Sequence, residues 1–242
     1  MTVMNRQAIV LFTGDPERES VRKGLPSNLL RALHQELIAT IRRTNDVALI
    51  VASDALDTFR LEDDRGGRSF AESSFGAKVA SAFRFAFDRG FDSVVLLAGD
   101  IAGADRAVLV DAFALLEEDP RRSVVGPSGD GGFYLLGLHR RGGLDTATNW
   151  DAVRWFTPSA AASVTTELTM AGGSVSFLRN LDDIDCRADA VRIGHALPER
   201  FAALRARLRS LLSARQPRAT SRIAFQPVVL EAATLLRAPP TF

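Results

Sequence analysis

Aspartates at three points of the chain have the spacing and surroundings of a site for a hard divalent cation. Asp100 follows the apolar run VVLLAG, which is typical of a buried strand, so its carboxylate is expected at a sheet edge. Asp183 and Asp185, in LDDIDC, lie on the same face if that segment is extended. Because Mg²⁺ binds through one or two carboxylates together with substrate phosphates, these residues predict a phosphate-linked site for Mg²⁺ or Mn²⁺. The alternative is that Asp182, Asp183 and Asp185 cap a helix that starts near Arg187.

A glycine-rich stretch, GPSGDGGFYLLGL at residues 126–138, surrounds a fourth aspartate, Asp130. A tight hairpin needs only two turn residues, whereas this stretch places four glycines around one carboxylate. Glycine has no Cβ, so this pattern indicates a backbone that another group approaches closely.

Basic residues collect in the loop FTGDPERESVRKGLPS, after the first apolar run. Arg18, Arg22 and Lys23 precede a helix that is expected to begin near Pro26 or Ser27, where cations and backbone N–H groups could hold phosphates. A solvated basic loop is the alternative. The chain contains neither a P-loop motif nor the dinucleotide-binding G-x-G-x-x-G motif.

The elements that must position these residues alternate between strand and helix patterns. Strands are predicted at 7–12, 46–53, 92–99, 122–126, 133–138 and 174–181, and helices at 26–44, 75–87, 105–119 and from about 187 to 215. Asp105 is a plausible N-cap. This alternation predicts a mostly parallel sheet covered on both faces. The small and acidic residues then meet at the carboxyl edge of the sheet, where ligands bind in such folds: Gly14, Asp15, Asp54, Gly99, Asp100 and the 126–132 loop.

Composition excludes several classes of protein. The net charge of the 242 residues is +1, which argues against a nucleic-acid partner, and the single cysteine, Cys186, excludes an internal disulfide. No apolar run is long enough to span a membrane and none resembles a signal peptide, so a cytoplasmic protein is expected. We expect one domain, residues 1–215, followed by a C-terminal extension, residues 216–242, with 55–73 as a loop or flap.

Over roughly residues 7 to 190 the chain resembles the GT-A-fold nucleotidyltransferase and glycosyltransferase superfamily. It is most similar to a bacterial glycosyltransferase-like branch, related to the guanylyltransferases of molybdenum-cofactor and deazaflavin-cofactor synthesis. The motifs that carry the resemblance are GPSGDGGFYLLGL, LLAGD, LDDIDCRAD, FGAKVASAF and RWFTPSAAASVT. The resemblance implies a three-layer α/β/α Rossmann-like GT-A fold with a mostly parallel mixed sheet.

The resemblance also implies a metal-dependent transferase with a nucleotide-activated donor. Either an acceptor phosphate attacks the α-phosphorus of a nucleoside triphosphate, or an acceptor attacks the anomeric carbon of a nucleotide sugar. Asp130 would bind or position the acceptor or act through a bound metal, while Tyr134 is either a core aromatic or a ligand contact. The implied catalytic residues are Asp100, Asp130 and Asp185; the metal ligands Asp100, Asp183 and Asp185; the nucleotide-binding residues Gly14, Arg22, Lys23, Lys78 and Gly99; and the substrate-binding residues Gly131, Gly132, Tyr134 and Thr157.

The first loop departs from the pattern of the superfamily. TGDPERESVRKGLP has Glu19 at the usual glycine, Arg22 at the usual lysine and Gly24 at the usual arginine, with Lys23 one register along. The expected partners are a nucleotide or nucleotide sugar and a small-molecule acceptor, with a homodimer as a further expectation. The alternative function is a degenerate, non-catalytic domain that binds a nucleotide or a protein.

Overall fold

The computed structural model describes residues 6–44, 46–53, 58–61, 68–69 and 74–213. Within them, eight strands form one sheet in the order β4-β3-β2-β1-β5-β7-β6-β8. The strands are β1 (Gln7–Thr13), β2 (Val47–Ser53), β3 (Thr58–Leu61), β4 (Arg68–Ser69), β5 (Ser93–Ala98), β6 (Arg122–Pro127), β7 (Phe133–His139) and β8 (Ser174–Phe177). Asp54 and the predicted extension 216–242 lie outside the described residues.

The sheet is mixed, with most of its strands running in one direction. Strand β1 is parallel to β2 and β5, and β8 is parallel to β6. Strands β3 and β7 are antiparallel to both of their neighbours, so they alone among the described strands run against the other six. The carboxyl ends of β1, β2, β5 and β6 therefore lie at one edge, as the sequence predicts.

Helices cover both faces of the sheet and complete three layers. They are α1 (Pro16–Lys23), α2 (Ser27–Arg42), α3 (Phe75–Asp88), α4 (Arg106–Glu118), α5 (Leu144–Ala147), α6 (Ala160–Met170), α7 (Arg187–Ala196) and α8 (Ala202–Ser213). Alternate residues of β1 separate two cores: Ala8 and Val10 pack with α3 and α6, whereas Ile9 and Leu11 pack with α2 and α4. A third core joins α2 to α7 and α8.

The three-layer α/β/α fold agrees with the predictions, as do strands β1, β2, β5, β6 and β7 and helices α2, α3 and α4. Asp105 is the N-cap of α4, because its side chain accepts the Val108 N–H at 3.1 Å. The predicted strand 174–181 is shorter than expected, since regular pairing ends at Phe177. The long helical pattern after 187 is divided by a 3₁₀ turn at Glu199–Phe201.

Two predictions about loops were wrong. The loop after β1 contains the helix α1, with Asp15 as its N-cap, Pro16 in its first turn and Gly24 after its last residue in the left-handed conformation (φ 62°). This pattern of N-cap, proline and terminal glycine is a known helix signal that sequence analysis overlooked. Part of the predicted loop 55–73 forms β3 and β4, and the rest of it lies outside the described residues. No helix in the described part of the chain is both long and apolar enough to cross a membrane.

Candidate functional site

A cavity of about 410 Å³ opens at the carboxyl edge of the sheet. This volume lies within the range of small-molecule binding sites. Aromatic side chains and charged or polar side chains both contribute to its lining. The aromatic residues are Phe12, Phe75, Phe133, Tyr134, Trp155 and Phe156, and the charged or polar residues are Arg22, Lys23, Asp100, Ser128, Asp130, Thr157, Asp183 and Asp185.

The segment after β8 carries two of the predicted aspartates to this edge. The Leu181 N–H donates to the Pro127 carbonyl at 3.2 Å, which attaches the segment to the end of β6. Further along, the Ile184 N–H donates to the Asp100 carbonyl at 3.0 Å, and Asp183 pairs with Ile101 in an antiparallel bridge. The segment therefore crosses from the glycine-rich loop to the end of β5, which brings together aspartates that are far apart in sequence.

The alternative interpretation of these aspartates as helix caps is wrong. The N-cap position of α7 is Cys186, whose backbone N–H donates to Oδ2 of Asp189 at 3.1 Å. Asp182 is turned towards α7, where it forms an ion pair with Arg192. Asp183 and Asp185 face the cavity instead.

Asp130, Asp183 and Asp185 form a carboxylate cluster, in which one oxygen from each residue lies within 4.8 Å of the others. Asp130 is positioned by its own loop, because its Oδ1 accepts the Ser128 hydroxyl at 2.5 Å and the Gly132 N–H at 2.8 Å. Burial, reinforced by the charges of the neighbouring carboxylates, raises the pKa of Asp183 to about 6. A cation in this cluster would relieve that repulsion.

Lys23 lies between two of the predicted metal ligands. Its Nζ is 2.6 Å from Oδ2 of Asp100 and 2.8 Å from Oδ1 of Asp185, and it also donates to the Ile184 carbonyl at 2.9 Å. Its side chain is 1% exposed. Burial acts to lower the pKa of Lys23, but the ion pairs outweigh it and the pKa is raised. Sequence analysis assigned Lys23 to donor phosphates, whereas in the structure its partners are these carboxylates.

Arg22, the preceding residue of α1, presents an exposed guanidinium at the same cavity. It forms a two-point ion pair with Glu19, at 2.5 and 3.2 Å, while 64% of its side chain remains exposed. The hydrogen bonds to Glu19, with the charges of Asp185 and Asp100, raise the pKa of Arg22 despite some burial. Glu19 therefore orients this arginine. Arg18 is exposed and is not among the residues that line the cavity.

The glycines of the 126–132 loop accommodate other parts of the same chain. A Cβ on Gly126 would lie 2.5 Å from the ring of Tyr134. A Cβ on Gly131, which has a φ of +88°, would lie 2.0 Å from the Pro158 carbonyl oxygen. Of the two glycines predicted to contact substrate, Gly132 lines the cavity and Gly131 does not.

Three predicted nucleotide-binding residues do not line the cavity: Gly14, Lys78 and Gly99. A Cβ on Gly14 would meet Glu19, and one on Gly99 would lie 2.5 Å from the Phe12 carbonyl oxygen. Lys78 lies in α3, near the cavity residues Phe75 and Val79.

Tyr134 and Thr157 both line the cavity, in different settings. Tyr134 is 2% exposed, and its hydroxyl donates to the Arg179 carbonyl at 3.0 Å. Burial raises the pKa of Tyr134 to about 12, which favours the interpretation as a core aromatic. Thr157 is exposed, and its hydroxyl donates to the Arg154 carbonyl at 2.8 Å.

Sequence analysis missed most of the aromatic lining. The sequence predicts Phe75 only as the first residue of the helix at 75–87. Phe75 nevertheless lines the cavity and lies 4.9 Å from the ring of Trp155 and 4.7 Å from that of Phe156. The spacing of residues along α3 does not reveal that the cavity begins at its first turn.

Comparisons with known proteins agree with this architecture. Residues 37–171 match the family described as "Uncharacterized protein conserved in bacteria (DUF2064)". A crystal structure from Desulfovibrio desulfuricans G20, described as a candidate nucleotide-diphospho-sugar transferase, has a TM-score of 0.69 at 20% identity, over 86% of this chain and 97% of that one. That likeness shows a shared fold. No curated protein matches the chain.

Two further solved structures have lower TM-scores. A homologue of Mycobacterium tuberculosis rv0371c, from Mycobacterium sp. strain JC1, has a TM-score of 0.48 at 21% identity, over 84% of this chain and 98% of that one. CMP:2-keto-3-deoxy-manno-octonic acid synthetase, complexed with CTP, has a TM-score of 0.46 at 12% identity, over 77% and 96% of the respective chains.

Proposed function

We propose that this chain, which belongs to the bacterial DUF2064 family, is a transferase that acts on a nucleotide-activated donor. The observation that carries the proposal is the carboxylate cluster of Asp130, Asp183 and Asp185, which borders a cavity that Arg22 also lines. Carboxylates and a guanidinium at the carboxyl edge of an α/β sheet suit a ligand that contains phosphates. The fold shared with the D. desulfuricans protein supports the same class of donor.

The carboxylate cluster fits a hard divalent cation such as Mg²⁺ or Mn²⁺. Its ligand atoms are all oxygens, and the raised pKa of Asp183 reflects a concentration of negative charge that a cation would relieve. Asp130, Asp183 and Asp185 would hold the ion, and Asp100 lies nearby because it and Asp185 both pair with Lys23. When bound, the ion would neutralise phosphate charge as the leaving group departs.

Phosphate binding and the positioning of the carboxylates are roles of the protein's own side chains. Arg22 is available to bind the phosphates of the donor, since Glu19 orients its guanidinium without covering it. Lys23 holds Asp100 and Asp185 in a fixed geometry and limits their repulsion. Ser128 fixes one oxygen of Asp130. Transfer at such a site depends on positioning and charge rather than on a protein nucleophile.

Two reactions fit this arrangement. In nucleotidyl transfer, an acceptor phosphate oxygen bonds to the α-phosphorus of a nucleoside triphosphate, and pyrophosphate leaves. In glycosyl transfer, an acceptor oxygen bonds to the anomeric carbon of a nucleotide sugar, and the nucleoside diphosphate leaves. The relationship to the guanylyltransferases of cofactor synthesis remains a prediction from the sequence. The nucleotide-binding roles of Gly14, Lys78 and Gly99 also remain predictions.

The proposal is tested by a thermal-shift panel of nucleoside triphosphates and nucleotide sugars, each with and without Mg²⁺. A ligand at a hundred times its Kd stabilises a protein by about 2.7 kcal/mol, and at roughly 2–4 °C for each kcal/mol this corresponds to a shift of about 5–11 °C at this size. We expect a Mg²⁺-dependent shift for one base. A response to triphosphates would identify nucleotidyl transfer, and a response to nucleotide sugars would identify glycosyl transfer.

Two neighbouring aspartates provide matched variants for this test. Asp183→Asn removes a carboxylate from the cluster, whereas Asp182→Asn removes the adjacent carboxylate that pairs with Arg192 outside it. The Mg²⁺-dependent part of the shift should disappear in the first variant and persist in the second. The proposal fails if no nucleotide or nucleotide sugar binds the wild-type protein under either condition.

A second function, nucleotide binding without turnover, is favoured by one observation. Lys23 already supplies a positive charge between Asp100 and Asp185, the pair for which a metal was predicted. A protein of this kind would bind nucleotide equally well without Mg²⁺ and form no transfer product. Product analysis by chromatography, on the nucleotide identified in the panel, separates the two functions.

A further inference from the structure

The cavity contains a group of aromatic side chains that the transfer chemistry does not use. Phe75 lies 4.9 Å from Trp155, 4.7 Å from Phe156 and 6.1 Å from Phe12, measured between ring centroids. We call Phe12, Phe75, Trp155 and Phe156 the aromatic wall. All four line the same cavity as the carboxylate cluster.

Trp155 is fixed in position within the aromatic wall. Its indole N–H donates to the Trp150 carbonyl at 3.0 Å, and its ring stacks on that of Trp150 at 6.5 Å. Trp150 is only 6% exposed, so this support belongs to the core. The ring of Trp155 therefore provides a rigid, apolar surface beside the cavity.

Phe156 occupies this site at a conformational cost. Its φ is +57°, in the left-handed region that is normally reserved for glycine, and its side chain is 84% exposed. A buried ring could offset this cost by leaving water, but an exposed one gains little. Backbone strain of this kind is concentrated at functional sites. A phenyl group held there by a strained backbone points to a ligand contact.

We infer that the aromatic wall binds a planar ring of the ligand whose phosphates lie at the carboxylate cluster, with Phe156 as the contact that selects it. Flat, delocalised rings stack favourably on aromatic side chains, and each such contact raises affinity by about tenfold. This inference rests on the proposed function, because it names a chemical feature of the substrate for the same cavity. The ring is either the base of the donor or an aromatic part of the acceptor.

The test compares probes that differ only in the ring. Adenosine, guanosine, cytidine and uridine are each compared with ribose, and phenyl phosphate is compared with methyl phosphate. Binding to the full-length protein is measured by quenching of tryptophan fluorescence and by calorimetry. We expect at least one ringed probe to bind about tenfold more tightly than its ringless counterpart. A nucleoside preference would assign the ring to the donor, and a preference for phenyl phosphate alone would assign it to the acceptor.

Three variants connect the preference to Phe156. Phe156→Gly should lose most of the preference for ringed over ringless probes. Its thermal stability should equal or exceed that of the wild type, because glycine adopts this φ without strain. Phe156→Leu keeps an apolar side chain and removes the ring, so it should also lose most of the preference. Phe177→Ala removes another exposed phenyl group, 56% exposed in β8 and outside the cavity, and should keep it.

Two results would overturn the inference: equal binding of ringed and ringless probes by the wild-type protein, or an undiminished preference in Phe156→Gly. Tripolyphosphate, which has no ring, is titrated separately with and without Mg²⁺. Its failure to bind would count against the proposed function alone, because the nucleoside and ribose comparison contains no phosphate.

Discussion

Nζ of Lys23, the last residue of α1, lies 2.6 Å from Oδ2 of Asp100. The same nitrogen reaches Asp185, which belongs to the segment before α7. A helix that sequence analysis did not predict thus places a permanent cation between two carboxylates predicted to bind a metal. A divalent ion that enters the neighbouring cluster must do so close to this positive charge.

Replacing Lys23 with methionine should therefore change metal affinity and stability in opposite directions. Lys23→Met leaves Asp100 and Asp185 without their cation, and the free energy of unfolding should fall by about 1–3 kcal/mol, less than for a fully buried pair because both carboxylates are partly exposed. Removal of the charge should raise Mn²⁺ affinity by about tenfold, measured by calorimetry. Arg122→Met, which breaks a surface ion pair with Glu118, serves as the control. Unchanged Mn²⁺ affinity in Lys23→Met would show that the ion binds beyond the reach of Lys23.

Asp183 is expected to weaken the fold when no metal is bound. Burial and the surrounding carboxylates disfavour its charged form, so Asp183→Asn should raise the free energy of unfolding at neutral pH by about 1 kcal/mol after solvent screening. Asp182→Asn loses the exposed ion pair with Arg192 and should lower it by about 0.5 kcal/mol. Urea unfolding in the presence of a chelator measures both. Destabilisation of the same size in the two variants would contradict the repulsion attributed to the cluster.

The sheet, the carboxyl edge and the main helices could be predicted because each depends on local apolar periodicity. The site could be predicted only in part. Asp130, Asp183 and Asp185 do converge, but whether Lys23 faces phosphates or carboxylates depends on the path of α1 and of residues 181–185, which are brought together by tertiary contacts. No local pattern encodes such a contact. The glycines give a second case, since their spacing indicates close approach without identifying the group that approaches.

Gly131 allows a direct test of whether Pro158 of the same chain is the group that lies close to the 126–132 loop. A Cβ at this position would lie 2.0 Å from the Pro158 carbonyl oxygen, and the residue would also have to adopt a φ of +88°. Gly24→Ala isolates the cost of conformation, because Gly24 has a φ of +62° and a Cβ added there would have nothing within 4 Å, so the change should cost about 1 kcal/mol. Gly131→Ala should cost about 3 kcal/mol or more, since strain and clash combine. Equal thermal stability of the two variants would argue that the 126–132 loop moves away from Pro158 easily.

Asp105 secures the segment that carries Asp183 and Asp185. Its carboxylate lies 3.0 Å from Arg179 and 2.8 Å from Arg200, in addition to capping α4. Arg179 also donates to the Gly103 carbonyl at 3.2 Å, so the loop after β5 and the chain after β8 are held by one network. Burial acts to raise the pKa of Asp105, but the bonds from Arg179 and the Val108 N–H, with the charge of Arg200, lower it overall.

The lowered pKa predicts a stabilisation that depends on pH. Because the carboxylate releases its proton more readily in the folded state, its contribution is complete above the unfolded value of 3.8 and is lost as pH falls through the lower folded value. Asp105→Asn should reduce the free energy of unfolding by about 1–3 kcal/mol at neutral pH, since asparagine still caps α4 but carries no charge. The difference from the wild type, followed by urea unfolding, should shrink steadily as the pH is lowered below 3.8. Asp111→Asn, which removes an exposed carboxylate from the same helix, serves as the control. A difference that stayed constant with pH would show that the charge of Asp105 does not account for its stabilisation of the fold.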